Sequence, residues 1–130
     1  MKLTFKGGIH PYEGKELTMD KDVIEYVPKG DMVYPLSQHI GAPAKAVVKK
    51  GDRVLVGQLI AEAGGFVSAN IHSSVSGTVK AVEPRLTASG SKVNSIVIEN
   101  DNQFEEIEYV KNEKPLAELT KEEILEAIKN

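Results

Sequence analysis

Residues 48–61 read VKKGDRVLVGQLIA, and this stretch decides the fold. Two glycine-containing pairs, Gly51-Asp52 and Gly57-Gln58, separate short β-prone runs. Glycine suits a tight turn because it adopts positive φ at no steric cost, and an aspartate side chain can accept hydrogen bonds from turn amides. Short strands joined by closely spaced turns indicate a small β sandwich or barrel and argue against a βαβ unit. We therefore predict a mainly β fold.

Further β-prone runs lie on both sides of this stretch. Gly64-Gly65 ends the run that begins at Leu59, and Pro35 places another run at a sheet edge or a strand end, because proline has no amide hydrogen to donate. The sequence predicts strands at residues 2–5, 23–27, 32–36, 47–50, 53–56, 59–63, 69–72, 77–82 and 95–99, with one more edge strand at 104–109.

The last residues change character and predict a short helix. Thr120 followed by Glu123 forms a capping box, and Leu119 with Ile124 matches a hydrophobic staple. An isolated helix of about ten residues is marginal in water, so its apolar stripe needs a packing partner. That partner is either the β domain or a domain outside this chain. The expected division is a β domain at 1–110 and a linker with helix at 111–130.

Composition excludes several functional classes. The chain has 130 residues, no cysteine and a net charge of −3, with lysines scattered among the acidic residues. Thiol catalysis, disulfides and thiolate metal ligation are therefore excluded, and a nucleic-acid partner is not expected because no basic face is apparent. No apolar run approaches the roughly 20 residues that span a bilayer, and no signal peptide is recognisable, so we expect a soluble domain without direct membrane insertion.

The central stretch resembles the biotinyl/lipoyl-domain signature, in which Val, Gly-Asp, Val, Gly-Gln and Leu recur at fixed spacing. Residues 71–79, IHSSVSGTV, are similar to the returning half of that fold. A carrier of this family displays a lysine at the hairpin between the two halves, because the prosthetic group is attached to its amine. The corresponding residues 62–69, EAGGFVSA, contain no lysine. Lipoylation or biotinylation is therefore not expected.

Four motifs, in order along the chain, resemble the amino-terminal domain of RnfC, the C subunit of Rnf electron-transport complexes, a barrel-sandwich hybrid. They are residues 4–11 (TFKGGIHP), 35–43 (PLSQHIGAP), 49–58 (KKGDRVLVGQ) and 66–77 (FVSANIHSSVSG), and the terminal helix at 119–128 resembles the same family. The resemblance implies extra strands before the lipoyl-like core, and a non-catalytic docking domain in a complex that couples electron transfer between ferredoxin and NAD to ion transport. A free-standing lipoyl-like carrier or adaptor is the alternative.

The resemblance also implies what lies outside this chain. In that family the helix leads to a glycine-rich domain that handles FMN and NADH, and then to a region with two [4Fe–4S] clusters. We expect none of these cofactors on the residues present, and we expect the chain to be a truncated or split RnfC subunit. Its partners would be the remainder of that subunit and the other Rnf subunits, at the cytoplasmic face of the cell membrane.

Candidate sites are few. His10, His39 and His72 have irregular spacing that favours structural or interface roles over a metal site. His72 beside Ser73 is a poor nucleophile–base pair because adjacent strand residues point to opposite faces. Gly7-Gly8 and Gly64-Gly65 precede no helix, so phosphate binding is not expected. We predict no catalytic, cofactor or metal residue.

Two loops are the remaining candidates for an interface. One contains Gly7, Gly8, His10 and Pro11, and the other contains Gln38, His39, Gly41 and Pro43. Loops that carry such residues often serve binding. The equally weighted alternative is that these loops close the ends of the barrel.

Overall fold

The computed structural model describes residues 7–8, 11–109 and 114–129. The mainly β prediction is confirmed. The strands are β1 (Asp31–Pro35), β2 (Lys45–Ala46), β3 (Arg53–Val54), β4 (Leu59–Glu62), β5 (Ile71–His72), β6 (Gly77–Leu86) and β7 (Lys92–Asn100). Two single-turn 3-10 helices, Lys15–Leu17 and Leu116–Glu118, and one α-helix, α1 (Lys121–Lys129), complete the described elements.

The strands form two antiparallel sheets. The larger has the order β1-β7-β6-β3, and the smaller has the order β2-β4-β5. In the long β6–β7 hairpin, Gly77 lies opposite Asn100 and Val82 opposite Ile96, with a register shift between Val79 and Ala81. Such an irregularity bends a strand and increases its twist, as a sheet that curls around a small core requires.

Both sheets contribute to one hydrophobic core. Ile60 of β4, Val54 of β3 and Ile96 and Ile98 of β7 are fully buried within it. The remaining buried members are Tyr34, Leu36, Ala44, Ala61, Val75 and Val79. Because strands of both sheets supply side chains to the same cluster, the sheets pack face to face and neither is stable without the other.

The turn predictions at the centre of the chain are confirmed. Gly51 and Gly57 have φ of 94° and 81°, values that side-chain-bearing residues rarely adopt. The residue after each glycine stabilises the turn, because Asp52 Oδ2 accepts a hydrogen bond from Lys49 N at 2.9 Å and Gln58 Oε1 accepts one from Leu55 N at 3.0 Å. The Gly-Asp and Gly-Gln pairs are therefore structural, and each has a local physical reason.

The predicted strand at 23–27 is wrong. The structure places no strand there, and Val23, Ile24 and Tyr26 are 101%, 82% and 76% exposed. Alternating apolar residues favour a strand only when a neighbouring strand supplies hydrogen bonds and a surface to pack on. Among the described residues, the strand pairings of this part of the chain begin at Asp31, which pairs with β7.

The predicted edge strand at 104–109 is also wrong. Phe104 has a φ of 53°, which turns the chain, and only Glu106 forms a bridge, with Val56. Two backbone hydrogen bonds, from Val56 N to Glu105 O and from Ile107 N to Val56 O, form this bridge. Polar side chains hold the segment as well, since Ser76 Oγ accepts a hydrogen bond from Glu105 N at 3.0 Å and Arg53 pairs with Asp101 and Glu105. The predicted strand at 47–50 lies directly after the observed β2, and the predicted strand at 69–72 begins two residues before β5. Residues 2–5 lie outside the described part of the chain.

The predicted terminal helix and its capping box are confirmed. Thr120 N donates to Glu123 Oε2 at 2.8 Å, and Glu123 N donates to Thr120 Oγ1 at 3.2 Å. Lys114 Nζ also contacts Glu123 Oε1 at 2.6 Å. No helix in the described ranges is long and apolar enough to cross a membrane.

We expect the first turn of α1 to fray in acid. The hydrogen bond from Lys114, followed by that from the Thr120 amide, lowers the pKa of Glu123 from 4.5 to about 2. A carboxylate with a lowered folded-state pKa stabilises the fold above its unfolded pKa, and this contribution is lost as the pH falls from about 4.5 towards 2. Amide chemical shifts of residues 120–124 recorded across this range test it. In Glu123→Gln the transition should disappear, and a persistent transition would contradict the assignment.

Candidate docking surface

The hairpin loop between β4 and β5, residues 63–70, is held in a fixed shape by its own side chains. Asn70 Oδ1 accepts a hydrogen bond from Ala63 N at 2.9 Å, and Ser68 Oγ accepts one from Gly64 N at the same distance. These bonds satisfy two backbone donors at the point where the strand pairing ends. The loop is therefore an ordered structure rather than a flexible arm.

The 38–43 loop braces this hairpin from the side. Ala42 N donates to Val67 O at 2.9 Å, and Ser68 Oγ donates to Ala42 O at 2.8 Å. A bond from Ala44 N to Leu36 O at 2.7 Å closes the base of the loop. We call residues 38–43 and 63–70 together the tip.

Two glycines make this contact possible. A Cβ atom at Gly41 would lie 1.8 Å from Val67 O, and one at Gly64 would lie 1.9 Å from Pro43 O. Real Cβ atoms do not approach backbone oxygens so closely, so each position requires glycine. The two loops are joined backbone to backbone, and the tip is rigid.

The rigid tip presents apolar side chains to solvent. Ile40 and Phe66 are each 105% exposed, one from each loop, and Val67 is 60% exposed. Neither loop contains an Asp, Glu, Lys or Arg residue, although these residues make up 27% of the chain. An uncharged, aromatic and preorganised surface has the composition of an interface core.

Helix α1 ends beside the tip. Asn70 Nδ2 donates a hydrogen bond to Lys129 O at 3.3 Å. Ile128 and Lys129 line a surface cleft together with Gly65, Phe66 and Ala69. Ile128 is itself 75% exposed and Leu125 is 45% exposed, so the apolar surface continues from Phe66 along the helix.

One of the two predicted interface loops is part of the tip. Gln38, His39 and Pro43 are exposed on the tip, where Gln38 Nε2 donates to Pro35 O at 2.9 Å and His39 Nδ1 accepts a hydrogen bond from Gly41 N at 3.0 Å. Gly41 is half-buried and lies against the hairpin, where its Cα faces Val67 O.

The other predicted loop is described only in part. Gly7, Gly8 and Pro11 are exposed, whereas His10 lies outside the described residues.

Sequence reasoning missed Phe66 and Ile40 as surface residues. The available signal was an aromatic residue directly after Gly64-Gly65 in a turn, where a buried side chain is not expected. The predictions for that hairpin concerned its lack of a lysine and its glycine pair, and neither says anything about the apolar side chains of the hairpin.

The surroundings of the candidate catalytic residues Ser73 and His72 indicate structural roles. Ser73 is buried and its hydroxyl donates to Val75 O at 2.7 Å, which engages the proton that a nucleophile would have to give to a base. His72 is half-buried on β5, opposite Leu59. Within the described ranges, no three His, Asp or Glu side chains converge as metal ligands do.

Comparison with known proteins identifies the family. The family model of the RnfC barrel sandwich hybrid domain matches residues 3–103. The C subunit of the Na(+)-translocating ferredoxin:NAD(+) oxidoreductase complex of Acetobacterium woodii is 54% identical over 99 residues, which cover 75% of this chain and 22% of that protein.

Two further relatives extend the match. The C subunit of the proton-translocating ferredoxin:NAD(+) oxidoreductase complex of Clostridium ljungdahlii is 42% identical over 130 residues, 99% of this chain and 28% of that protein. The C subunit of the ion-translocating oxidoreductase complex of Vibrio cholerae is 38% identical over 127 residues, 96% of this chain and 16% of that protein. The chain thus spans less than a third of the length of each of these relatives. With most of its length matched, and with two curled sheets around one core, the chain belongs to the RnfC barrel sandwich hybrid domain family.

Proposed function

We propose that this domain is a non-catalytic structural and docking domain of the C subunit of an ion-translocating ferredoxin:NAD oxidoreductase complex. The family match and the names of the relatives supply the complex. The observation that carries the docking role is the tip, a rigid pair of loops that exposes the apolar side chains of Ile40 and Phe66.

The tip differs from a carrier hairpin in two physical respects. A swinging prosthetic group needs an amine for attachment and a mobile loop, whereas residues 63–70 contain no lysine and are bonded to the 38–43 loop. A binding surface instead gains from rigidity, because less conformational entropy is lost when the partner binds. The geometry therefore favours docking over group transfer.

In this proposal the redox chemistry belongs to the rest of the RnfC subunit. FMN, NADH and two [4Fe–4S] clusters are carried by domains outside this chain, and the domain holds its subunit in place among the other Rnf subunits at the cytoplasmic face of the membrane. The names of the relatives, which are subunits of ion-translocating oxidoreductase complexes, support membership of such a complex.

The test is deletion of residues 1–110 from the full-length subunit. The shortened subunit should still oxidise NADH with a soluble dye as acceptor, and it should no longer co-purify with the other subunits. Loss of dye reduction with flavin still bound, together with normal assembly, would show a catalytic role and refute the proposal.

We also expect the isolated chain to carry no covalent group and no flavin. Its intact mass should equal the mass calculated from its amino-acid sequence, because the hairpin has no amine to modify. Mass spectrometry together with a visible spectrum of the purified chain checks this. An added lipoyl or biotinyl mass would restore the carrier alternative.

A further inference from the structure

We propose that the tip binds the remainder of the RnfC subunit. In this arrangement the apolar patch of Ile40, Phe66 and Ile128 packs against the domain that follows helix α1 in the longer protein. This inference rests on the proposed function and names the partner of the docking surface.

The first argument is the path of the chain. The bond from Asn70 to Lys129 O fixes the carboxyl end of α1 against the hairpin. In a longer subunit, the residues after α1 therefore start close to Phe66 in space, because Lys129 and Phe66 line the same cleft. A tethered partner has a high effective concentration, of the order of millimolar for a short linker, so a modest apolar patch suffices to hold it.

The second argument is the chemistry of the patch. Phe66 and Ile40 project from loops without lysine or arginine. An anionic membrane surface is recognised by basic residues around an apolar anchor, whereas a protein interface core is depleted of charge and enriched in aromatic residues. The patch therefore fits an apolar protein surface.

The third argument is the size of the available partner. The Clostridium ljungdahlii relative matches 99% of this chain, yet the chain covers only 28% of that relative. Most of such a subunit lies outside the β domain and is large enough to cover the patch. The exposed apolar residues at 12–27 are a weaker candidate for a docking surface, because a docking surface gains from rigidity. Residues 18–29 have few hydrogen bonds to the β domain, such as that from Asn100 Nδ2 to Pro28 O at 3.0 Å.

The experiment is site-specific photo-crosslinking in the full-length subunit within the assembled complex. The photoreactive amino acid p-benzoylphenylalanine replaces Phe66 in one variant and Val82 in a control, because Val82 is 41% exposed on β6, outside the tip. Crosslinks from position 66 should map to peptides of the same subunit beyond residue 130, with a yield roughly tenfold above that from position 82.

A second variant, Ile40→Ser with Phe66→Ser, removes the patch without touching the core. The isolated domain should keep its melting temperature, because both side chains are fully exposed. In the full-length subunit, proteolysis just after residue 130, where α1 leads into the next domain, should become roughly tenfold faster, because the two domains separate there.

The outcomes distinguish this inference from the proposed function. Crosslinks from position 66 to a different subunit, to a second copy or to lipid would overturn the inference and leave the docking role intact. Equal crosslinking at both positions with unchanged proteolysis would also overturn it. Normal assembly without residues 1–110 would remove the docking role itself.

Discussion

Replacing Gly77 with alanine is expected to destabilise the β domain by about 3 kcal/mol, at the upper end of what overpacking costs. A Cβ at this position would lie 2.0 Å from Glu99 O and 3.2 Å from Ile98 Cγ2. The first obstacle is backbone of β7, so no side-chain rotation relieves it. Gly77 pairs with both Val54 of β3 and Asn100 of β7, so moving it disturbs three of the four strands of the larger sheet.

The neighbouring residue provides the control. Thr78 is exposed in the same strand, and Thr78→Ala should cost no more than about 1 kcal/mol, the range of strand propensity. Urea unfolding of the two variants and the parent, followed by circular dichroism, measures both differences. Equal midpoints for Gly77→Ala and Thr78→Ala would contradict the close approach of β6 to β7.

The features that sequence predicted correctly depend on neighbours along the chain. The turns at Gly51 and Gly57 need positive φ and a polar side chain one residue later, and both requirements are visible in Gly-Asp and Gly-Gln. The capping box is equally local, since Thr120 and Glu123 satisfy each other's amides. Such features follow from the stereochemistry of a few residues and can be predicted without knowledge of the tertiary fold.

The features that sequence missed depend on which distant segments meet. Residues 23–27 alternate like a strand, but a strand needs a partner, and pattern alone does not reveal whether one is present. The tip is another case, because Gly64 requires glycine only through Pro43 O, which lies far along the chain. Sequence indicated the 38–43 loop as a candidate interface but did not reveal that it braces the hairpin that exposes Phe66.

Replacing Gly64 with alanine is expected to loosen the tip while the core stays folded. The new Cβ would lie 1.9 Å from Pro43 O, so the hairpin and the 38–43 loop must separate. This separation breaks the bonds of Ala42 N to Val67 O and of Ser68 Oγ to Ala42 O, because both span the same gap. Amide hydrogen exchange at Ala42 should accelerate by roughly 100-fold, which corresponds to the loss of about 3 kcal/mol of local protection.

The adjacent glycine is the matched control, since the two positions differ in what the added methyl group meets. At Gly65 a Cβ would lie 3.1 Å from Ala42 Cβ, a side-chain methyl that a small shift relieves, whereas at Gly64 the obstacle is a carbonyl oxygen of the backbone. Gly65→Ala should therefore leave exchange at Ala42 within about threefold of the parent, because overpacking one methyl contact costs far less than a backbone clash. If both alanines accelerate exchange equally, glycine is required for chain flexibility in the hairpin and not for the backbone contact. If only Gly64→Ala does so, the rigidity of the tip comes from two loops in direct backbone contact, and the position of Phe66 depends on that contact.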